Sequence, residues 1–179
     1  MVAGGPQTGK TTFVEAVSEA PPDVGETILT NVGDFGPDSV KSTITLALDF
    51  GLVSSVGSDL DLYLFGMPWQ PRFSFIWDGL IPDVIGAVVL VDTRRLADAF
   101  AVIDLLEHRH LPYIVGINTF DGAFAYDISD VRHALSIDAS VPIVRCDARD
   151  RTSVEQTLVT LYEHVSQPQP SLVHAGEAI

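Results

Sequence analysis

Gly4-Gly5-Pro6-Gln7-Thr8-Gly9-Lys10-Thr11, followed by Thr12, carries the spacing G-x-x-x-x-G-K-[ST]. The chemistry this spacing serves is phosphate binding. Backbone N–H groups of a tight loop wrap an anionic oxygen, and only glycine tolerates the backbone angles required at Gly4 and Gly9. Lys10 reaches toward the β- and γ-phosphates, and the Thr11 hydroxyl is placed for Mg²⁺. A helix starting at Lys10 adds the positive end of its dipole. The plain alternative is a glycine-rich turn with a surface lysine. The complete match, between a strand end and a helix start, favours phosphate.

A second constellation can read a base. Val115-Gly116-Ile117-Asn118-Thr119-Phe120-Asp121 ends an apolar run with Asn, two residues, then Asp. A carboxylate at Asp121 can accept both N1–H and the exocyclic N2–H of guanine. Adenine offers no such donor pair, and unpaired buried groups penalise it. Asn118 braces the loop and touches the purine N7. An Asn/Asp turn after a strand is the ordinary alternative. Behind a phosphate loop, the guanine reading is preferred.

These residues need strand ends and helix starts to hold them. Short apolar runs alternate with helix-like segments, which predicts an α/β fold with a mostly parallel sheet. Met1-Val2-Ala3 is a short first strand. Thr11 to Ala20 reads as a helix with Phe13, Val17 and Ala20 on one face, stopped by Pro21 and Pro22. Asp23 to Ser39 reads as a long loop. Ser42 to Phe50 alternates as a half-buried strand, and Asp61 to Phe65 is its partner in an antiparallel hairpin. Val84 to Val91 is a continuous apolar run, expected of a central strand buried on both faces. Leu96 to Glu107 is helical, Tyr113 to Ile117 a strand, Ile128 to Leu135 a helix and Val141 to Val144 a strand. A last helix is introduced by Thr152-Ser153-Val154-Glu155, a capping-box pattern. Residues 1–165 form one domain, and 166–179 read as a loose tail.

Composition narrows the function. The chain has 179 residues, of which 46% are hydrophobic and 19% charged, enough to bury a core and to exclude disorder as the main state. Ten basic against 24 acidic residues give a net charge of −14, so no broad face can serve a nucleic acid or an anionic membrane. Phosphate must therefore be held in one focused site. No apolar stretch is long enough to span a bilayer, and no secretory leader is evident. The single cysteine, Cys146, excludes a disulfide framework and a cysteine-rich zinc site, which leads to the expectation of a cytoplasmic location. His108 and His110 flank Arg109 after a helix and read as a C-terminal cap, not a metal site.

The order of phosphate loop, long loop, hairpin, aromatic loop and Asn-x-x-Asp resembles a small Ras-like GTPase. More narrowly it is similar to the MglA-like bacterial branch, and within it to the GTPase encoded in actinobacterial conservons (the CvnD type). The segments that carry this are Leu46-Ala47-Leu48-Asp49-Phe50-Gly51, Leu64-Phe65-Gly66-Met67-Pro68-Trp69-Gln70-Pro71-Arg72-Phe73, Val88-Val89-Leu90-Val91-Asp92-Thr93-Arg94-Arg95-Leu96, Asn118-Thr119-Phe120-Asp121-Gly122 and Arg145-Cys146-Asp147-Ala148-Arg149. The resemblance implies a three-layer P-loop NTPase fold with a mixed six-stranded sheet flanked by helices. It implies GDP or GTP with Mg²⁺, slow hydrolysis, and a switch role in bacterial signal transduction. Cys146, Asp147 and Ala148 become candidates for the loop that reads guanine O6. Its implied partners are a Roadblock/LC7-type regulator and a sensor-kinase-like membrane component, through which the protein would be recruited to the membrane.

Departures from that family bear on turnover. The Ras-like Asp-x-x-Gly-Gln register here reads Gly66-Met67-Pro68-Trp69-Gln70, with no acid and with Trp69 at the glycine. Gln70, the orienter of the attacking water, is present. Thr119 replaces the usual lysine. The Mg²⁺-binding threonine of the first switch is Thr45 by register, with Thr43 second, and Asp49 is a possible metal-side acid. Arg72 is a candidate in-chain arginine finger, although a surface salt bridge explains it more simply. Trp69, Phe73, Phe75 and Trp77 either pack beneath this loop or form a partner patch. Two rivals follow: a pseudo-GTPase that holds guanine nucleotide without turnover, and a P-loop kinase or ATPase, which would need an arginine-rich lid the chain lacks.

Overall fold

The computed structural model describes residues 1–19, 25–29, 44–48, 50–54, 61–67 and 81–167, with 25–29, 44–48 and 54 described at the backbone only. In chain order the elements are β1 (Val2–Gly4), α1 (Lys10–Val17), β2 (Gly25–Leu29), β3 (Ile44–Leu48), β4 (Phe50–Ser54), β5 (Asp61–Phe65), β6 (Ala87–Val91), α2 (Phe100–His108), β7 (Tyr113–Asn118), α3 (Ile128–Leu135), β8 (Ile143–Cys146) and α4 (Arg151–Ser166). Short 3₁₀ turns lie at Ile81–Asp83 and Leu96–Ala99, the latter running directly into α2.

The central sheet is parallel, in the order β1-β6-β7-β8. Every residue of β1, β6 and β7 is buried, as near-continuous apolar strands must be when helices cover both faces. The two-residue alternation of strands then sorts the core into two layers. Ala87, Val89, Val91, Val115 and Ile117 pack toward Val102, Ile103 and Leu106 of α2 and Val131 and Leu135 of α3. Val2, Val88, Leu90 and Ile114 pack toward Phe13, Val14 and Val17 of α1 and Val154, Leu158 and Leu161 of α4. Helix, sheet and helix make the three layers expected from the sequence.

Around this frame several expectations need correction. The stretch read as one long loop contains β2, which pairs antiparallel with β3 in the register Thr27 to Leu46. The single strand expected over 42–50 is two strands with different partners. Its first half, β3, pairs β2; beyond Asp49, β4 pairs antiparallel with β5, Phe50 opposite Phe65 and Ser54 opposite Asp61. The alternation runs unbroken through the change, so periodicity alone does not reveal it. In place of the mixed six-stranded sheet there are, among the described residues, four parallel strands and two separate antiparallel pairs, β2–β3 and the β4–β5 hairpin. That hairpin joins β1 through one bridge, Val2 with Gly66, reinforced by Met67 N–H donating to the Val2 carbonyl (2.8 Å).

At the ends of elements, α1 stops at Val17, with Phe13, Val14 and Val17 buried; Ala20 lies outside the described residues. The cap of α4 is Asp150, not Thr152. Its carboxylate accepts from Thr152 N–H (3.3 Å) and Ser153 N–H (3.2 Å), because an acid two residues earlier satisfies the first-turn donors. α2 ends at His108, and Arg109 N–H and His110 N–H close the last turn onto Leu105 and Glu107 carbonyls. Among the described residues no group of His, Cys, Asp or Glu has a metal-binding arrangement. None of the described helices is long and apolar enough to cross a membrane. The tail from residue 168 onward lies outside the described residues.

Candidate functional site

The phosphate loop hangs between the end of β1 and the start of α1. Gly4 has φ +142° and Gly9 φ +95°, both in the left-handed half of the backbone map that side chains disfavour. Space forbids a side chain as well. A Cβ on Gly4 would run into the Leu90 carbonyl oxygen, and one on Gly9 would lie 2.5 Å from Asn118 Nδ2. Gln7 also holds a positive φ, 58°, a conformation that is uncommon outside glycine. Thr8 Oγ1 donates to the Gly5 carbonyl at 3.1 Å, and Lys10 Nζ donates to Gly4 (3.1 Å) and Gly5 (2.6 Å) carbonyls. α1 has no side-chain cap and no acid in its first turn. Its positive end is thus left to an incoming anion. Thr11 and Thr12 are exposed on that first turn, while Thr8 is buried.

The base loop is tied to the phosphate loop by one side chain. Asn118, buried at the end of β7, donates from Nδ2 to the Thr8 carbonyl (2.9 Å) and accepts at Oδ1 from Ala148 N–H (3.0 Å). Thr119 N–H donates to the Cys146 carbonyl (2.8 Å). The phosphate loop, the Asn-x-x-Asp loop and the loop after β8 therefore converge, as the order of motifs implied. The Cys146 side chain is buried in the core, where burial pushes the thiol up.

Asp121 projects into solvent, 88% exposed, and is gripped by Arg149, whose Nη1 and Nη2 donate to its two oxygens at 2.9 and 3.3 Å. The same guanidinium donates to Asp147 through Nε (2.9 Å) and Nη2 (2.8 Å). Arg149 holds the Asp121 carboxyl below its usual range and brings Asp147 to about 2.

Sequence reasoning gave no role to several residues that brace these loops. Asp92, buried at the end of β6, takes a fork from Arg94 (2.7 to 3.1 Å), and the Arg94 guanidinium stacks over Phe120 at 4.2 Å. Phe120 lies between Asn118 and Asp121, so this stack supports the base loop from outside. Asp98, at the entry to α2, abuts Gly5, whose added Cβ would lie 2.5 Å from Asp98 Cβ. The signal was the charged run after the β6 strand; its ion pairs are local, but its contacts with Phe120 and Gly5 lie too far along the chain for spacing to reveal.

Gln70, Arg72, Trp69, Phe73, Phe75, Trp77, Thr43 and Asp49 lie outside the described residues, and Thr45 is described only as backbone in β3, opposite Ile28. A cavity of about 220 Å³ lined by Met1, Tyr63, Ile85 and Tyr162 contains no residue of either motif.

A family model of conserved hypothetical ATP binding proteins matches residues 34–168. The match takes in the base loop and begins after the phosphate loop. Among solved structures the chain is similar to the FeoB G-domain from Methanococcus jannaschii, with TM-score 0.60 and 16% identity over 93% of this chain and 96% of that one. It is similar as well to the G domain of the T. maritima FeoB iron transporter, with TM-score 0.61 and 18% identity over 92% and 93%. At such identities the likeness shows the fold, that of a G domain. No curated protein matches in sequence. By the family match over most of its length, on a G-domain frame with an intact phosphate loop, the chain belongs to the family of conserved hypothetical ATP binding proteins and is a nucleotide-binding, G-domain-like protein.

Proposed function

We propose that the nucleotide is guanine and that the protein is a GDP/GTP switch with slow GTP hydrolysis, of the MglA-like, conservon-associated kind. The observation that carries this reading is Asn118, bonded at once to the phosphate loop and to the loop after β8, with Asp121 three residues on at the mouth. Lys10 turns from loop carbonyls to the β- and γ-phosphates, and backbone amides of residues 4–11 hold the oxygens. Gln70 orients water for in-line attack, with catalysis by positioning and charge stabilisation. Mg²⁺ would take the hydroxyl of Thr11 and, by sequence register, that of Thr45 or else Thr43, as this ion prefers oxygen ligands and few protein groups. Bound there, the ion would neutralise charge developing on the phosphate oxygens. A Roadblock/LC7-type regulator and a sensor-kinase-like membrane component fit as partners of a cytoplasmic switch.

The test is competition between GDP and ADP for parent protein and for Asp121→Asn. GDP should win clearly in the parent. Asp121→Asn should weaken GDP and favour xanthine nucleotide, the lost charge-assisted contact costing about 1.5–3 kcal/mol. Equal GDP and ADP affinity in the parent would reject guanine and leave the ATPase or kinase alternative.

A further inference from the structure

Arg149 grips Asp121 with a fork. Its Nη1 and Nη2 donate to Oδ2 and Oδ1, one hydrogen-bond donor per carboxylate oxygen. Guanine presents the same chemistry. Its N1–H and N2–H flank one carbon, an N–C–N donor pair of guanidine type. A carboxylate cannot take two such forks in one plane at once. We propose that Arg149 is an internal competitor for the base: it occupies Asp121 as a mimic of the guanine edge, and guanine binding displaces it onto Asp147. The proposal rests on the guanine reading above.

The geometry makes one leg of this bridge the labile one. Toward Asp147 the guanidinium makes contacts of 2.8 and 2.9 Å, and Arg149 N–H adds a third to the same carboxylate at 3.0 Å. That grouping spans two residues and stays local. Toward Asp121 the contacts are 2.9 and 3.3 Å across 28 residues, to a side chain 88% exposed. Loss of the Asp121 leg therefore leaves Arg149 charged, bonded and half in water. Exchange is cheap, so the competitor slows guanine entry without blocking it. Arg149 acts through Asp121 and is a specificity-positioning residue.

Stopped-flow association of fluorescent GDP and ADP with nucleotide-stripped full chain tests this, for parent, Arg149→Ala and Arg149→Lys. The half-exposed side chain can be truncated without opening the core. Removing a cation from a chain of net charge −14 should by itself slow any anionic ligand. The proposal demands the opposite for GDP alone: association about two- to fivefold faster in Arg149→Ala, the scale of an exposed ion pair. Dissociation should stay near the parent value, and ADP should not accelerate. Arg149→Lys, which keeps charge but lacks the planar fork, should shift GDP in the same direction. Unchanged or slower GDP association, or a gain shared by ADP, overturns the proposal. Faster dissociation with unchanged association would make Arg149 a contact to the bound base and overturn it too. If the parent does not prefer GDP to ADP, the guanine reading has failed first; if it does and Arg149→Ala is no faster, only the competitor has failed.

Discussion

Lys10 and Trp69 pose the residue-scale question of how fast this protein can turn over. Lys10 satisfies its charge on the carbonyls of Gly4 and Gly5, so phosphate binding is an exchange of partners and not the filling of an unpaired charge. Under the proposed GTPase reading, Trp69 takes the place of the glycine that precedes the glutamine in the Ras-like pattern. If the amide there must swing toward the γ-phosphate, a bulky residue resists a sparsely allowed backbone region by about 1–3 kcal/mol. Each 1.36 kcal/mol is about tenfold in rate, so the slowing is about 5- to 150-fold. Trp69→Gly should therefore release phosphate faster than the parent in single turnover, and Gln70→Leu more slowly. No gain in Trp69→Gly would remove the backbone account. Silence from all three proteins, with or without a regulator, would install the pseudo-GTPase reading.

At the scale of elements, the site is a junction of three loops set at the carboxyl ends of β1, β7 and β8, and Gly9 is where two of them touch. Alanine there would need φ near +95° and would press on Asn118 Nδ2 at 2.5 Å. Gly9→Ala should destabilise the fold by about 1–3 kcal/mol, lowering Tm by roughly 2–4 °C per kcal/mol at this size. It should also weaken GDP by more than the stability loss alone explains, because Asn118 would be pushed from both the Thr8 carbonyl and Ala148. Parent-like GDP affinity in a destabilised Gly9→Ala would show that the tie is structural only. The phosphate and base loops were legible in the sequence because their chemistry demands residue types at fixed spacing. β2 was not, because Glu26-Thr27-Ile28-Leu29 offers only two apolar residues inside Gly- and Asp-rich chain. The change of partner at Asp49 was not, because alternation specifies which face a residue takes and not which strand it meets. The Arg149 bridge to Asp121 was beyond reach for a third reason: its partners are brought together by the sheet.

The whole molecule is strongly acidic, and folding deepens the commitment of several of its carboxylates to the charged form, Asp92 and Asp147 among them. Arg94 holds Asp92 well below the usual carboxylate range, and Arg149 holds Asp147 at about 2. Both values are depressed by folding, so the stability they contribute is complete above the ordinary carboxylate pKa of about 4 and is lost as pH falls through the folded values. Burial lowers His164 as well, adding a loss that begins nearer its ordinary 6.5. Denaturant midpoints should fall gently from about pH 6 and more steeply below about pH 4. Asp92→Asn should be less stable at neutral pH and show a shallower acid limb. An acid limb unchanged by Asp92→Asn would mean that the Arg94 fork contributes nothing to the fold.

Parallel pairing has a consequence for the order of events during synthesis. Val2 is registered against Val88, and Thr8 is held by a residue 110 positions further on. At about 5–20 residues per second, the phosphate loop waits roughly 5–20 s between its own translation and that of Asn118. It waits longer for Ala148, which fixes the other side of the same amide. The segment of the site made first is thus the last to be immobilised, and nucleotide capture becomes a report that the ribosome has passed β8.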